Sequence, residues 1–174
     1  MIDPYWKRIA GMHQDDDGTI GVVWLAHDEM SNTVHVYDAA VFRVEVEAVI
    51  AEGIAARGRN IRLAYRKRDE DYAKRLRDSG LRLVPETCAD NDQMAEIISR
   101  EIWQKMRTGQ FRVERRVGDW LKEYKRYDRD QNKVPTAGFP LMSATRHAIE
   151  MLPYARAEKS RTAKKNNYPK LALV

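Results

Sequence analysis

A single cysteine, Cys88, is present in the 174 residues. That excludes an internal disulfide and a thiolate zinc cluster, and no adjacent base marks Cys88 as a catalytic thiolate. Long apolar runs are also missing: none approaches the ~20 residues that a spanning helix needs, so no membrane is expected as a partner. The opening stretch Met1-Ile2-Asp3-Pro4-Tyr5-Trp6 has neither the basic start nor the apolar segment of a signal peptide, so a cytoplasmic setting is expected. No Gly/Ser linker and no internal repeat divides the chain. Its length suits one core that buries about two-thirds of the unfolded surface.

Charge is what the sequence has in quantity. Asp, Glu, Lys and Arg make up 33% of it, with a net charge of +5, a balance that favours polyanions weakly. From Arg156 to Lys170 the cations Arg156, Lys159, Arg161, Lys164, Lys165 and Lys170 face one acid, Glu158. Large apolar residues are scarce there, so a domain over 1–153 and a basic, flexible tail over 154–174 are expected.

Periodicity divides the domain into elements. Lys7–Met12 reads as a first strand ending in the turn Gln14-Asp15-Asp16-Asp17-Gly18. Ile20–Ala26 is β-branched and nearly continuously apolar, as a strand covered on both faces should be, and Thr33–Asp38 alternates. These three predict an antiparallel meander. Helical spacing follows, with Val46, Val49, Ile50 and Ile54 on one face. A short strand is expected at Ile61–Tyr65, a helix at Glu70–Ser79 and another short strand at Leu81–Val84. The clearest helix spans Asn91–Arg107, with Met94, Ile98, Ile102 and Met106 recurring every fourth residue, supported by Ile97 and Trp103. Phe111–Val113 suits an edge strand, Val117–Tyr127 a helix with Trp120, Leu121 and Tyr124 inward, and Leu141–Leu152 a last helix stopped by Pro153. The expected fold is α/β, a mixed sheet of a three-strand antiparallel meander plus short parallel strands, covered by helices.

Six stretches in order carry a resemblance. They are Tyr5-Trp6-Lys7-Arg8-Ile9-Ala10-Gly11-Met12, Val22-Val23-Trp24-Leu25-Ala26-His27-Asp28, Thr33-Val34-His35-Val36-Tyr37-Asp38-Ala39, Met106-Arg107-Thr108-Gly109-Gln110-Phe111-Arg112-Val113, Trp120-Leu121-Lys122-Glu123-Tyr124 and Leu141-Met142-Ser143-Ala144-Thr145-Arg146-His147-Ala148. Together they resemble the C-terminal nuclease domain of tailed-phage large terminases, over roughly Ile2–Leu152. The resemblance implies a ribonuclease-H-like fold and, in its active members, DNA cleavage by divalent metals held on carboxylates. No Gly-x-x-x-x-Gly-Lys-Ser/Thr phosphate loop is present, so this chain by itself is not expected to be a packaging motor.

At the places where the family carries its acids, this sequence differs. His13 stands where the first strand should end in aspartate, Arg68 takes the position after the fourth strand, and Phe139-Pro140 replace the acidic pair that opens the last helix. The resemblance therefore implies no catalytic residue and no resident metal. It points to an interaction module of DNA packaging, with phage terminase, portal protein or double-stranded DNA as partner. Arg66, Lys67, Arg68, Lys164 and Lys165 are the candidate DNA-binding cations. A rival reading is a Mg²⁺- or Mn²⁺-dependent endonuclease with a rearranged site on Asp15, Asp17 and Asp69, helped by Asp16 and Asp71. A third is a prophage remnant. Three acids before Gly18 also suit a solvated turn, and His13 lacks a second histidine at helical spacing.

Overall fold

The computed structural model describes residues 2–43, 45–87, 92–127, 133–135 and 137–158. Seven strands and five helices are found there: β1 Lys7–Gln14, β2 Ile20–Asp28, β3 Thr33–Phe42, α1 Glu47–Ala55, β4 Arg62–Tyr65, α2 Glu70–Asp78, β5 Arg82–Pro85, α3 Asp92–Arg107, β6 Phe111–Val113, α4 Gly118–Arg126, α5 Pro140–Glu150 and β7 Arg156–Ala157. The six longer strands lie in the order β5-β4-β1-β2-β3-β6, and β7 pairs with β1. The meander β1-β2-β3 is antiparallel, while β4 runs parallel to β1, β5 to β4 and β6 to β3. This is the expected mixed sheet.

The two-residue period of a strand divides β1 between two cores. Ala10 and Met12 face a cluster that includes Trp24, Ile50, Tyr72 and Leu76, under α1 and α2. Ile9 faces the opposite cluster with Val23, Ile98, Trp120 and Leu141, under α3, α4 and α5. Gly11, on that second face, is the seat of α5. A Cβ at this position would lie 1.9 Å from the Ala144 carbonyl oxygen, and at Gly21 2.5 Å from the Pro140 carbonyl carbon. Only glycine lets the helix backbone come so close to the sheet.

Several helix faces are narrower than expected. In α1 the buried residues are Ile50, Ala51 and Ile54, whereas Val46 and Val49 are exposed. Val46 is the extended residue before the first turn, and Val49 lies about 100° round the helix from Ile50. In α3 only Ile98 is buried, with Met94, Ile102 and Met106 packed partly against it. Ile97 and Trp103 stand about 100° to either side of that stripe and are exposed. Tyr124 in α4 is also exposed and stacks on the outer side of Trp120, with ring centroids 5.2 Å apart.

Arg156 and Ala157 pair with Arg8 and Lys7 of β1, within the stretch where the tail was expected. Residues 159–174, with Lys164 and Lys165, lie outside the described residues, as does Cys88. Among the described residues no helix is long and apolar enough to cross a membrane.

Candidate functional site

The parallel strands β1, β4 and β5 end side by side, at Gln14, Tyr65 and Pro85. In open α/β sheets ligands gather beyond such carboxyl ends, and buried polar groups collect there in this chain. His13, on the α5 face of β1, is 3% exposed. Its Nε2 lies 3.2 Å from Asp15 Oδ1, and its Nδ1 lies 3.1 Å from Nε2 of His147, in the middle of α5. On its other side, His147 Nδ1 stands 3.0 Å from Oε2 of Glu86, the residue just after β5. One line of hydrogen-bonding groups, Asp15-His13-His147-Glu86, thus crosses beneath α5.

Cations flank the Asp15 end. Arg66 follows β4 and is 4% exposed. It donates through Nη2 to the Gln14 carbonyl at 2.7 Å and through Nε to Asp69 Oδ2 at 3.0 Å. Arg146 on α5 is buried too, donating to Ser143 Oγ at 2.9 Å and to the Tyr127 hydroxyl at 2.6 Å. Burial, more than any other influence, holds the His13 pKa below the usual imidazole value, and Arg66 and Arg146 act in the same sense against the raising effect of Asp15.

Carboxylates gather at the Glu86 end. Glu86 is 2% exposed, and Glu150, in the last turn of α5, accepts from the Thr87 backbone N–H at 3.1 Å. One ligand atom each from Glu86, His147 and Glu150 lies within 4.8 Å of the others, the single such convergent group among the described residues.

The residues singled out from sequence are placed as follows. Phe139 packs edge-on against Tyr127 and Pro140 is buried at the first turn of α5. The helix opening is capped by Glu123 of α4, whose Oε1 accepts from Met142 N–H at 2.7 Å. Burial pushes the Glu123 carboxyl up to about 7 despite that bond. Lys67 and Arg68 are exposed, and Arg68 Nε is 3.9 Å from Asp69 Oδ1. Asp17 caps its own turn, accepting from Thr19 N–H at 2.8 Å, and Asp16 is exposed. Asp15, Asp17 and Asp69 do not converge as a ligand group, and Asp71 is exposed on α2. Glu86, Glu123, Arg146, His147 and Glu150 were missed by sequence reasoning. The available signal was His147 on the apolar face of α5 with Glu150 one turn later.

No protein-family model matches this chain, and no curated protein does. Solved structures do. The nuclease domain of the P22 large terminase is similar at a TM-score of 0.79 and 19% identity, over 91% of this chain and 87% of that one. The chain has the terminase nuclease fold, ribonuclease-H-like in its mixed sheet. The large terminase nuclease domain of bacteriophage SPP1 with bound Mn is similar at a TM-score of 0.65 and 14% identity, over 84% of this chain and 86% of that one. The human cytomegalovirus terminase nuclease domain, soaked with Mn and inhibitor-bound, gives 0.59 and 13%, over 84% of each chain.

Proposed function

We propose that this chain is a non-catalytic module of phage or prophage DNA packaging, a terminase-nuclease fold that binds DNA or a packaging partner without cutting DNA. The partner would be terminase, portal protein or duplex DNA. The observation that carries the reading is Arg66: a buried guanidinium, fixed by Gln14 and Asp69, at the strand ends where a two-metal nuclease needs carboxylate oxygens. The ion pair of Arg66 keeps the Asp69 carboxylate engaged rather than open to Mg²⁺.

The rest of that edge also fits two hard ions poorly. His13 has one ring nitrogen near Asp15 and the other near His147, Arg68 is a cation, and Phe139-Pro140 supply packing and no oxygen ligand from their side chains. Asp69, which the rival nuclease would use, already neutralises Arg66. The site chemistry therefore supports holding over hydrolysis.

The test is hydrolysis of supercoiled plasmid by the full chain with Mg²⁺ and with Mn²⁺, beside a mock preparation. No cleavage is expected. Cleavage that Asp15→Ala or Asp17→Ala abolishes would overturn the proposal in favour of the rearranged acidic site.

A further inference from the structure

We propose that the cavity between α3, α4 and α5 docks a protein partner through an acidic segment that carries an aromatic or large aliphatic residue. The apolar side chain fills the cavity, and a carboxylate beside it meets the buried guanidinium of Arg146. The inference deepens the function proposed above, whose protein partner it gives a site, and rests on that reading only for the existence of the partner.

The cavity comes from how lightly α3 sits on the core. Ile98 is its one buried residue, so Ile102 and Met106 line a space of about 730 Å³ rather than closing it. That volume is within the range of about 300–1,000 Å³ in which ligand clefts fall. Four aromatic rings belong to its wall, those of Trp103, Trp120, Tyr124 and Tyr127. Trp120 is 1% exposed and stands innermost, while Trp103 and Tyr124 are 53% and 40% exposed. Large rings left half in water beside a cavity mark a surface that something else covers.

Charge selects what covers it. Arg100, Lys125 and Arg146 line the cavity, and no acid does so among the described residues. Arg107 adds a further cation, its guanidinium 4.8 Å from the centroid of the Trp103 ring. Arg146 carries the argument, because it is 6% exposed and its three acceptors are all neutral: the Tyr127 hydroxyl, Ser143 Oγ and, at 3.5 Å, the Pro135 carbonyl. Buried charges are ordinarily paired. Those three bonds leave two of the five guanidinium N–H groups for a further acceptor, and the flat fork of a guanidinium matches a carboxylate.

A peptide supplies both requirements on neighbouring residues, an apolar anchor and an acid. Duplex DNA offers phosphates on its outside and nothing apolar to enter an aromatic cavity. Arg100 and Lys125 are exposed, so the cationic surface continues past the mouth, as a contact with a chain requires and an enclosed small molecule does not. Trp, Tyr and Arg are also the residues that carry most binding energy at protein interfaces.

The experiment follows the backbone and indole N–H signals of the full, isotope-labelled chain by NMR during titration with three end-blocked peptides. They are Glu-Trp-Asp-Leu-Glu, its neutral counterpart Gln-Trp-Asn-Leu-Gln, and Glu-Gly-Asp-Ala-Glu, which keeps the charge and lacks the anchors. The first should shift the Trp103 and Trp120 indole signals and bind about tenfold tighter than either of the others, as expected where anchor and charge both count. Trp103→Ala and Arg100→Ala/Lys125→Ala alter exposed side chains and should each weaken it by about fivefold with circular dichroism staying native. Arg146→Lys keeps the charge, loses the fork and should weaken it by about tenfold. Equal binding of the acidic and neutral peptides, affinity unmoved by Trp103→Ala, or no shift at either indole would overturn the proposal. Tighter binding of a short oligothymidylate at the same signals would overturn it in favour of single-stranded DNA, and a dimer in sedimentation that Trp103→Ala dissolves would do so in favour of a second copy. Plasmid cleavage measured on the same samples keeps the two readings apart. Peptide binding with cleavage ends the non-catalytic function alone, while neither binding nor cleavage ends the docking site alone.

Discussion

The two ends of the Asp15-His13-His147-Glu86 line share one helix and one sheet edge, yet they carry opposite charge. At the Asp15 end two buried guanidiniums, Arg66 and Arg146, act on His13 against the carboxylate. At the Glu86 end two carboxylates converge on an imidazole. The backbone brings groups together at both ends by the same means, the seating of α5 on Gly11 and Gly21. A few side chains then decide whether the place repels or attracts a cation. Fold and ion chemistry are therefore separable properties of this edge, which is why likeness to a nuclease fold does not by itself assign nuclease chemistry.

The largest break in that comparison should come from the shared seat. Gly11→Ala sets a methyl group against a helix carbonyl with no flexible side chain to yield, and is expected to cost about 3 kcal/mol or more, as severe overpacking does. Denaturant unfolding would show it as a lowered midpoint, with both ends disturbed at once. A change under about 1 kcal/mol would mean that α5 can lift from β1 cheaply.

Arg66→Met acts on one end only. It removes charge-assisted bonds to Asp69 and to the Gln14 carbonyl and should cost about 2 kcal/mol. Denaturant unfolding would read the loss, with circular dichroism staying native. A loss well above about 4 kcal/mol would show that the two ends are one electrostatic unit.

Most of the frame could be read from local patterns because strands and helices announce themselves by period. The meander, the parallel strands β4 and β5, and the β6 edge lie where alternation and short apolar runs placed them. Helix faces were legible to about 100°, and the misplacements of Val49, Ile97 and Trp103 are each one residue off a buried stripe. The site was far less legible. His13 and His147 are 134 positions apart, and nothing local in either neighbourhood specifies the other. Arg66 and Arg68 look alike in the run Arg66-Lys67-Arg68, but only Arg66 continues the inward alternation of Ala64 and is buried. Glu86 follows a four-residue strand, where sequence reads only as a loop.

Glu123 sharpens the cation-rich end through pH. Its carboxyl is raised from 4.5 to about 7, so the folded chain binds that proton more tightly than the unfolded chain does. This contribution to stability is complete below the unfolded value near 4.5 and is lost as pH rises through about 7. Glu123→Gln keeps an acceptor for the α5 N–H groups and removes the charge. It should therefore stabilise the chain by about 1–2 kcal/mol at pH 8 and leave it nearly unchanged at pH 4. Thermal unfolding of both proteins across that range reads the difference, and a gap of the same size at both ends would show that the cap, not its charge, matters.

The smallest effect on stability, and the one that bears most on function, concerns Lys67 and Arg68. Exposed and beyond the buried network, they can be replaced together by alanine at a cost within about 0.5 kcal/mol. Their value lies in charge. The acids that follow them in sequence are partly engaged already, Asp69 by Arg66 and Glu70 by Arg77 and the Tyr65 hydroxyl, and both cations are exposed where phosphate can reach them. If both contact duplex DNA, the log–log dependence of affinity on salt should be shallower by about 1.8 in Lys67→Ala/Arg68→Ala, at about 0.9 per phosphate. Binding should also persist in EDTA, because the cations replace the metals as the phosphate ligands. The comparison chain lacks residues 159–174, which removes Lys159, Arg161, Lys164, Lys165 and Lys170 while keeping β7. A slope altered only by that truncation would move the contact to the basic segment. No measurable binding by any chain at low salt would instead direct the search to a protein partner of packaging.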